Sequence, residues 1–268
     1  MSANETGQIT SNAAEIYEEF FVPALFQEWT ERVIDAASIR PGNRVLDVAC
    51  GTGVLARTAA ERVGVDGVVI GLDVNPGMLA VAERKGPAIT WRQGRAESLP
   101  FADAEFDAVV SQFALMFFDD HVAALEEMRR VVRPNGRVAV AVWGSIEETP
   151  GYSSMSDLLR RLFGEEAATS LSAPYSLGDR EDVRSLFSRA GITDVAIQTI
   201  IGMARFPSIR SWVFTDIKGW TLADVLSDEQ FATLLEHAER DMQPFVTSDG
   251  TVAFAAPAHI VTWTKGDR

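Results

Sequence analysis

The chain is expected to fold as an α/β protein, a doubly wound and mostly parallel seven-stranded sheet with a helical cap. Three observations carry that expectation. Short apolar runs alternate with amphipathic stretches between residues 44 and 143. A glycine turn, Gly51-Thr52-Gly53, joins the first run to the first helix of that series. Two acids, Asp47 and Asp73, stand at the ends of the first two runs.

In chain order, the first ten residues are polar and expected to fray. Ile16, Phe20, Phe21, Leu25, Trp29 and Val33 recur at helical spacing around Pro23, which predicts two helical pieces bent at the proline. Arg44–Val48 reads as a strand and Val54–Val63 as a helix. Asp66-Gly67 turns into a second strand, Val68–Leu72, and Pro76 opens the next helix from a favoured first-turn position. Ile89–Gln93 and Phe106–Ser111 are the third and fourth strands. Val122, Leu125, Met128 and Val132 share one face of a helix over Asp119–Val132, punctuated by Pro134-Asn135-Gly136 before a fifth strand, Arg137–Trp143. Right-handed crossovers then place helices on both faces of the sheet.

After Gly144 the alternation loosens. Met155, Leu158, Leu159, Leu162 and Phe163 mark a helix, and Asp179–Ala190 is a capped helix closed by Gly191. Residues 193–205 alternate as a strand. Ile209, Trp212, Val213, Ile217 and Trp220 define one further helix. A capping box, Ser227-Asp228-Glu229-Gln230, starts another that carries Phe231, Leu234, Leu235, Ala238 and Met242. Val252–Thr264 is the final strand. No linker interrupts the pattern, so residues 1–268 read as one domain. Its cofactor-binding core spans about 38–145, with a cap built from about 10–37, 150–178 and 207–245.

Composition narrows the function. With 47% hydrophobic and 23% charged residues, the chain is too apolar for disorder. Its 24 Lys and Arg against 38 Asp and Glu give a net charge of -14, a field that repels nucleic-acid backbones. The lone Cys50 excludes a disulfide framework, and His121, His237 and His259 lack metal-binding spacing. The N-terminus lacks a signal-peptide pattern, and no apolar run approaches the ~20 residues of a membrane span. A cytoplasmic protein acting on a small molecule is the expectation.

Gly51-Thr52-Gly53-Val54-Leu55-Ala56 fits GxGxxG/A between a strand and a helix, a pattern shared with dinucleotide sites. An NAD-dependent oxidoreductase is therefore one alternative. Asp47 argues against it, because a carboxylate beside the glycine turn repels a pyrophosphate and attracts an amino group. Asp73, 26 residues further on, suits the vicinal hydroxyls of a ribose. Loop bracing by Asp47, and capping of the Pro76 helix by Asp73 or Asn75, are the structural alternatives.

Four segments in this order carry a resemblance: Val45-Leu46-Asp47-Val48-Ala49-Cys50-Gly51-Thr52-Gly53, Gly71-Leu72-Asp73-Val74-Asn75-Pro76-Gly77-Met78-Leu79, Gly94-Arg95-Ala96-Glu97-Ser98-Leu99-Pro100-Phe101 and Phe106-Asp107-Ala108-Val109-Val110-Ser111. Over about residues 40–145 the chain resembles class I S-adenosylmethionine-dependent methyltransferases, closest to the ubiquinone/menaquinone-biosynthesis-type small-molecule enzymes. The resemblance implies a Rossmann-like sheet with an antiparallel last strand, S-adenosyl-L-methionine as cofactor and S-adenosyl-L-homocysteine as product. It implies that Asp47, Ala49, Cys50, Gly51, Thr52 and Gly53 hold the methionine moiety and Asp73 the ribose. Val74 and Met78 would flank the adenine, with Ala96 and Glu97 along its edge. Ser111, Gln112 and Phe113 would floor the site beside the methyl group, and Tyr17 would close over it. Two departures stand out. Ala49 replaces the first loop glycine, and Arg95 stands where such enzymes usually carry a carboxylate. An arginine cannot accept the adenine amino proton, so that task passes to Glu97 or a backbone carbonyl.

The marks of several sub-chemistries are absent. Ser111-Gln112-Phe113-Ala114 is not the Asn/Asp-Pro-Pro-aromatic pattern of amine-methylating relatives. Cys50 is taken up by the loop, and Ser111 and Trp143-Gly144-Ser145 occupy the places where metal-dependent relatives carry acids. What remains is metal-free methyl transfer, by in-line displacement, to an O, N or C centre of a small and fairly apolar molecule. A cofactor-binding protein without methyl transfer is the second reading. Met116, Phe117, Trp143, Met155 and Trp212 are the expected acceptor contacts, with Leu115, Phe118, Phe206, Trp220 and His259 as further candidates for the lining. His259 is the candidate general base, or else a hydrogen-bonded strand histidine. The acceptor atom and the oligomeric state are not encoded in these patterns.

Overall fold

Arg44–Val48 (β1) lies at the centre of the sheet, and its Val45, Leu46 and Val48 are fully buried. The other strands are Val68–Asp73 (β2), Thr90–Gln93 (β3), Phe106–Gln112 (β4), Val132–Trp143 (β5), Ala196–Phe206 (β6) and Val252–Thr264 (β7). A computed structural model, describing residues 11–218 and 226–267, orders the seven strands β3-β2-β1-β4-β5-β7-β6. Pairs from β3 through β5 are parallel, and β7 runs antiparallel to both β5 and β6. The last strand alone runs against the others, as the resemblance implied. Chain order reverses between β1 and β4, which opens a crevice at their carboxyl ends where α/β proteins bind ligands. The expected fraying of residues 1–10, and Trp220, lie outside the described residues.

Ten α-helices surround the sheet among the described residues: Ser11–Ile16 (α1), Thr30–Ala36 (α2), Val54–Val63 (α3), Pro76–Lys85 (α4), His121–Val131 (α5), Pro150–Phe163 (α6), Glu165–Ser172 (α7), Arg180–Arg189 (α8), Ile209–Lys218 (α9) and Asp228–Asp241 (α10). Side-chain caps set several starts. Asn75 Oδ1 accepts from the Gly77 and Met78 amides, so Asn75 rather than Asp73 caps α4. Asp120 and Asp179 cap α5 and α8 in the same way, and the Ser227–Gln230 capping box forms at α10. The short α7, which follows Gly164, has too little apolar periodicity to be legible in the sequence.

Two expectations are corrected. The chain does not bend into two α-helices at Pro23. Tyr17–Phe26 winds instead as a π-helix, with the Gln27 amide donating to the Val22 carbonyl, and Gln27–Trp29 tightens into a 3₁₀ turn before α2. An α-helix would press the proline ring on the carbonyl four residues back, and the wider coil relieves that clash. Likewise β5 begins at Val132, not Arg137, and carries Pro134-Asn135-Gly136 as a bulge. Phe106 pairs with Val132 but Ala108 with Arg137, and Asn135 takes a left-handed φ of 62°. The Lys265 ammonium sits at this junction, donating to the carbonyls of Arg129, Arg130 and Val132 at the end of α5.

The π-helical segment, α6, α9 and α10 pack on one another and against β6 and β7. This assembly of helices borders the crevice from the side opposite β2 and β3.

Candidate active site

The glycine turn is built on backbone conformations that few side chains adopt. Ala49, Gly51 and Gly53 all have positive φ, at 57°, 55° and 85°. At Ala49 a β-carbon tolerates that strain. At Gly53 none fits, since a β-carbon would stand 2.3 Å from the indole of Trp91 on β3. The same indole lies 2.4 Å from a β-carbon placed on Gly71 of β2. Trp91 thus fills the space under the turn, a contact the sequence does not announce.

Asp73, at the end of β2, fixes the turn from the other side. Its Oδ2 accepts from the Gly51 amide at 2.8 Å, and its Oδ1 from the Asn75 amide at 2.8 Å. The Arg57 guanidinium of α3 donates to the Thr52 carbonyl and pairs with Glu18 at 2.8 Å, drawing the N-terminal segment over the cleft. Tyr17 arrives with it, stacked on Phe26 with ring centroids 5.2 Å apart. Burial, with the Asp73, Glu18 and Asp47 carboxylates next in effect, pushes the Tyr17 hydroxyl well above its ordinary range. Tyr17, Asp47, Asp73 and the turn are therefore one cluster.

Asp47, near the end of β1, is 1% exposed. Burial and then the Asp73 charge hold its carboxyl well above the usual carboxylate range, while the Ala56 amide opposes the shift. Asp73 is raised by burial too, against hydrogen bonds from Asn75, Gly51 and Val74. The Cys50 thiol is pushed up by burial and by both carboxylates, which keeps it protonated. Asp47 Oδ2, Thr52 Oγ1, Ser111 Oγ and Gln112 Oε1 are buried with no hydrogen-bond partner. Each unsatisfied group costs about 1–3 kcal/mol, so four around one cleft mark a place built for a polar, positively charged guest. The ammonium and sulfonium of S-adenosylmethionine fit that demand, and a pyrophosphate does not.

Along the edge expected to take the adenine, Met78 and Ala96 are buried and Val74 is half exposed. Glu97 Oε1 accepts from the Asp119 amide at 3.0 Å, and Arg95 pairs with Glu97 at 3.4 Å and with Asp119. The departure at Arg95 is thus balanced by two carboxylates. Gln93 steadies the opposite side through the Val74 carbonyl.

Beyond Phe113 lies an aromatic cavity of ≈ 40 Å³. Phe113 has a φ of 54° and lies flat on Trp143, with ring centroids 3.7 Å apart at 8°. Phe113, Phe117 and Trp143 line it, as the sequence led one to expect of the last two. Phe21, Leu25 and Phe26 from the π-helix complete one wall, and Tyr152, Leu171, Pro174, Tyr175 and Asp216 the other. None of these eight was expected in the lining. Asp216 had a signal, being a lone acid on the apolar face of α9 four residues after Trp212.

Other expected contacts are elsewhere. Leu115, Met116, Met155, Phe206 and Trp212 are buried in the core and do not line the cavity. Trp212 stacks on Phe206 and Phe254, and Phe118 packs against the core. His259 is the hydrogen-bonded strand histidine. Its Nε2 donates to the Gly178 carbonyl at 2.9 Å, leaving Nδ1 to accept from the Thr199 hydroxyl at 2.9 Å. With both nitrogens engaged and no place in the lining, it has no proton to move for an acceptor.

Comparison with known proteins agrees with this geometry. Residues 46–140 match a family described as Methyltransferase domain. A demethylmenaquinone methyltransferase of Staphylococcus carnosus is 35% identical over 188 residues, covering 65% of this chain and 78% of its own. One from Beutenbergia cavernae is 42% identical over 129 residues, covering 46% and 52%. The YcgJ protein of Bacillus subtilis, at 23% identity, superposes over 90% of this chain and 99% of its own with a TM-score of 0.60. A phosphoethanolamine N-methyltransferase of Haemonchus contortus, in complex with phosphomonomethylethanolamine and S-adenosylhomocysteine, gives 0.65 at 18% identity over 100% and 61%. The last two likenesses concern the fold.

A Rossmann-like sheet with two buried acids at the β1/β4 switch point, together with these matches, defines a methyltransferase. The chain belongs to the class I S-adenosylmethionine-dependent methyltransferase family, alongside the demethylmenaquinone methyltransferases. The dinucleotide alternative is set aside. Among the described residues, no helix is long and apolar enough to cross a membrane.

Proposed function

We propose that this enzyme methylates an O, N or C centre of a small, fairly apolar molecule held in the aromatic cavity beside Phe113 and Trp143. The observation that carries the reading is the junction of two environments. Ser111 and Gln112, whose Oγ and Oε1 are unsatisfied, end the strand beside Asp47 and lead straight into Phe113. Gln112 Nε2 donates to the Phe26 carbonyl, so the polar cleft adjoins a cavity whose walls are almost wholly aromatic and aliphatic. Asp47 and the 49–53 turn would hold the methionine end, Asp73 the ribose, and Val74, Met78, Ala96 and Glu97 the adenine. When bound, the sulfonium supplies an electrophilic methyl that leaves by in-line displacement. The chain's own work is to align that methyl with the acceptor and to keep water out, and Tyr17 and the π-helix cover the cleft for this purpose. The relatives' name denotes enzymes acting on demethylmenaquinone, and aromatic walls suit a planar quinone-type ring once they part, because ≈ 40 Å³ is less than one such ring fills.

Asp73→Ala tests the cofactor assignment. It removes both a ribose acceptor and the brace on Gly51, so S-adenosylhomocysteine affinity in calorimetry should fall by ~1.5–3 kcal/mol. Unchanged affinity would remove Asp73 from the cofactor site.

The transfer is proposed to need neither metal nor thiol. Ser111, Trp143, Gly144 and Ser145, none of them acidic, stand where metal-dependent relatives carry acids, and Cys50 is a buried, protonated thiol. Cys50→Ser should therefore keep most of the rate of S-adenosylhomocysteine formation, losing about 1 kcal/mol at most in packing. The rate should also persist in excess EDTA. A chelated enzyme that magnesium restores, or a Cys50→Ser protein that binds cofactor but is inactive, contradicts this.

A further inference from the structure

One wall of the acceptor cavity carries a group that the cofactor does not use. Asp216 of α9 is 3% exposed and is the single acid in a lining of aromatic, aliphatic and proline side chains. Its Oδ1 accepts from the Tyr152 hydroxyl of α6 at 3.0 Å, and its Oδ2 is buried with no hydrogen-bond partner. Tyr175, from the turn after α7, faces the same acid, and the Trp212 indole lies close by on its own helix. None of the described groups acting on it is a cation. A carboxyl so placed is costly in the empty protein, and a ligand hydroxyl completes it.

We propose that Asp216 is the acid–base group of the acceptor site, its Oδ2 taking the proton of a hydroxyl borne by a planar aromatic acceptor. The inference rests on the methyl-transfer reading above and adds the residue that meets the acceptor's hydroxyl. Three features point to a neutral hydroxyl. One open carboxyl oxygen satisfies one O–H donor, whereas an ammonium brings three N–H donors and a heavier desolvation cost. The stacked walls at Phe113 and Trp143 suit a flat ring. Burial raises the Asp216 carboxyl to about 8, against the opposing effects of Tyr152 and Trp212, so its ionised form, which grows as pH rises toward 8, is the one that takes a phenolic proton. In the step, the acceptor O–H breaks and its proton passes to Oδ2. The electron pair left on oxygen, or conjugated to a ring carbon, forms the bond to methyl as the carbon–sulfur pair returns to sulfur. A carbon-methylated ring then loses its ring proton, and the proton on Asp216 is released to solvent.

The test uses the full chain with three probes: 1-naphthol, naphthalene and 1-naphthylmethylamine. Each is titrated by calorimetry with and without S-adenosylhomocysteine, into wild type, Asp216→Asn and Tyr152→Phe. Wild type should bind naphthol at least tenfold more tightly than naphthalene. Asp216→Asn should lose that preference to below threefold, while Tyr152→Phe, which leaves the carboxyl in place, keeps it. S-adenosylhomocysteine affinity should be unchanged in both variants, which shows that they are folded. A wild-type preference below threefold overturns the proposal, even if a variant does not fold. So does a preference that survives Asp216→Asn or is lost only in Tyr152→Phe. Tighter, Asp216-dependent binding of the amine overturns the hydroxyl assignment in favour of a cation. Failure of wild type to bind S-adenosylhomocysteine would instead refute the cofactor site, a separate result.

Discussion

Asp47→Asn should abolish useful cofactor binding while leaving the empty protein as stable as wild type or more so. The carboxyl is buried, one of its oxygens has no partner, and burial and Asp73 disfavour its charged form. In the empty cleft it is therefore a cost. With a cationic amino group beside it the same charge becomes half of a buried, hydrogen-bonded pair, and losing one member of such a pair costs ~2–5 kcal/mol. Asparagine keeps the shape and removes the charge, so affinity for S-adenosylmethionine should fall on the order of a hundredfold, with the apo melting temperature unchanged or raised. Calorimetry and thermal melting together check this. Binding within threefold of wild type would mean that Asp47 braces the loop and does not meet the ligand.

Asp216→Asn should stabilise the protein progressively as pH rises from about 4 to 8. The unfolded carboxyl ionises near 4, whereas the native one holds its proton to about 8. Between those values unfolding releases a proton, so the Asp216 contribution to stability is fullest below about 4 and is lost as pH rises toward 8. The slope is at most ~1.4 kcal/mol per pH unit, and the asparagine variant lacks this component. From pH 5 to pH 8 the variant should gain ~2–4 kcal/mol on wild type, or roughly 5–10 °C in melting temperature for a chain of this size. The Asp47 and Asp73 contributions are common to both proteins and cancel in the difference. Parallel stability profiles would show that Asp216 is ionised in the native state.

The glycine turn and its two buried acids were legible because their geometry is local. The turn, Asp47 and Asp73 lie within one strand–helix–strand unit, and backbone geometry there restricts residue choice enough to leave a pattern. The capping box at Ser227 and the cap at Asp179 were legible for the same reason. The aromatic cavity was not, because it joins Phe26, Phe113, Tyr152, Tyr175 and Asp216 from five segments distant in sequence. Aromatic residues at helical spacing look alike whether they face a cavity or the core, so Met155 and Trp212 were expected in the lining and are packed in the core. The π-helix at Pro23 and the bulge at Asn135 escaped detection because each depends on how a strained segment relaxes against its neighbours.

In the proposed reaction a charged cleft delivers the methyl group to the aromatic cavity. S-adenosylmethionine carrying a ¹³C-labelled methyl, bound to the wild-type protein, reports on this through the proton and carbon shifts of that methyl. Ring currents from Phe26, Phe113 and Trp143 should move the bound proton resonance upfield, and nuclear Overhauser contacts should connect it to aromatic protons. A saturable complex whose methyl keeps its free shift and contacts no aromatic proton would contradict the assignment.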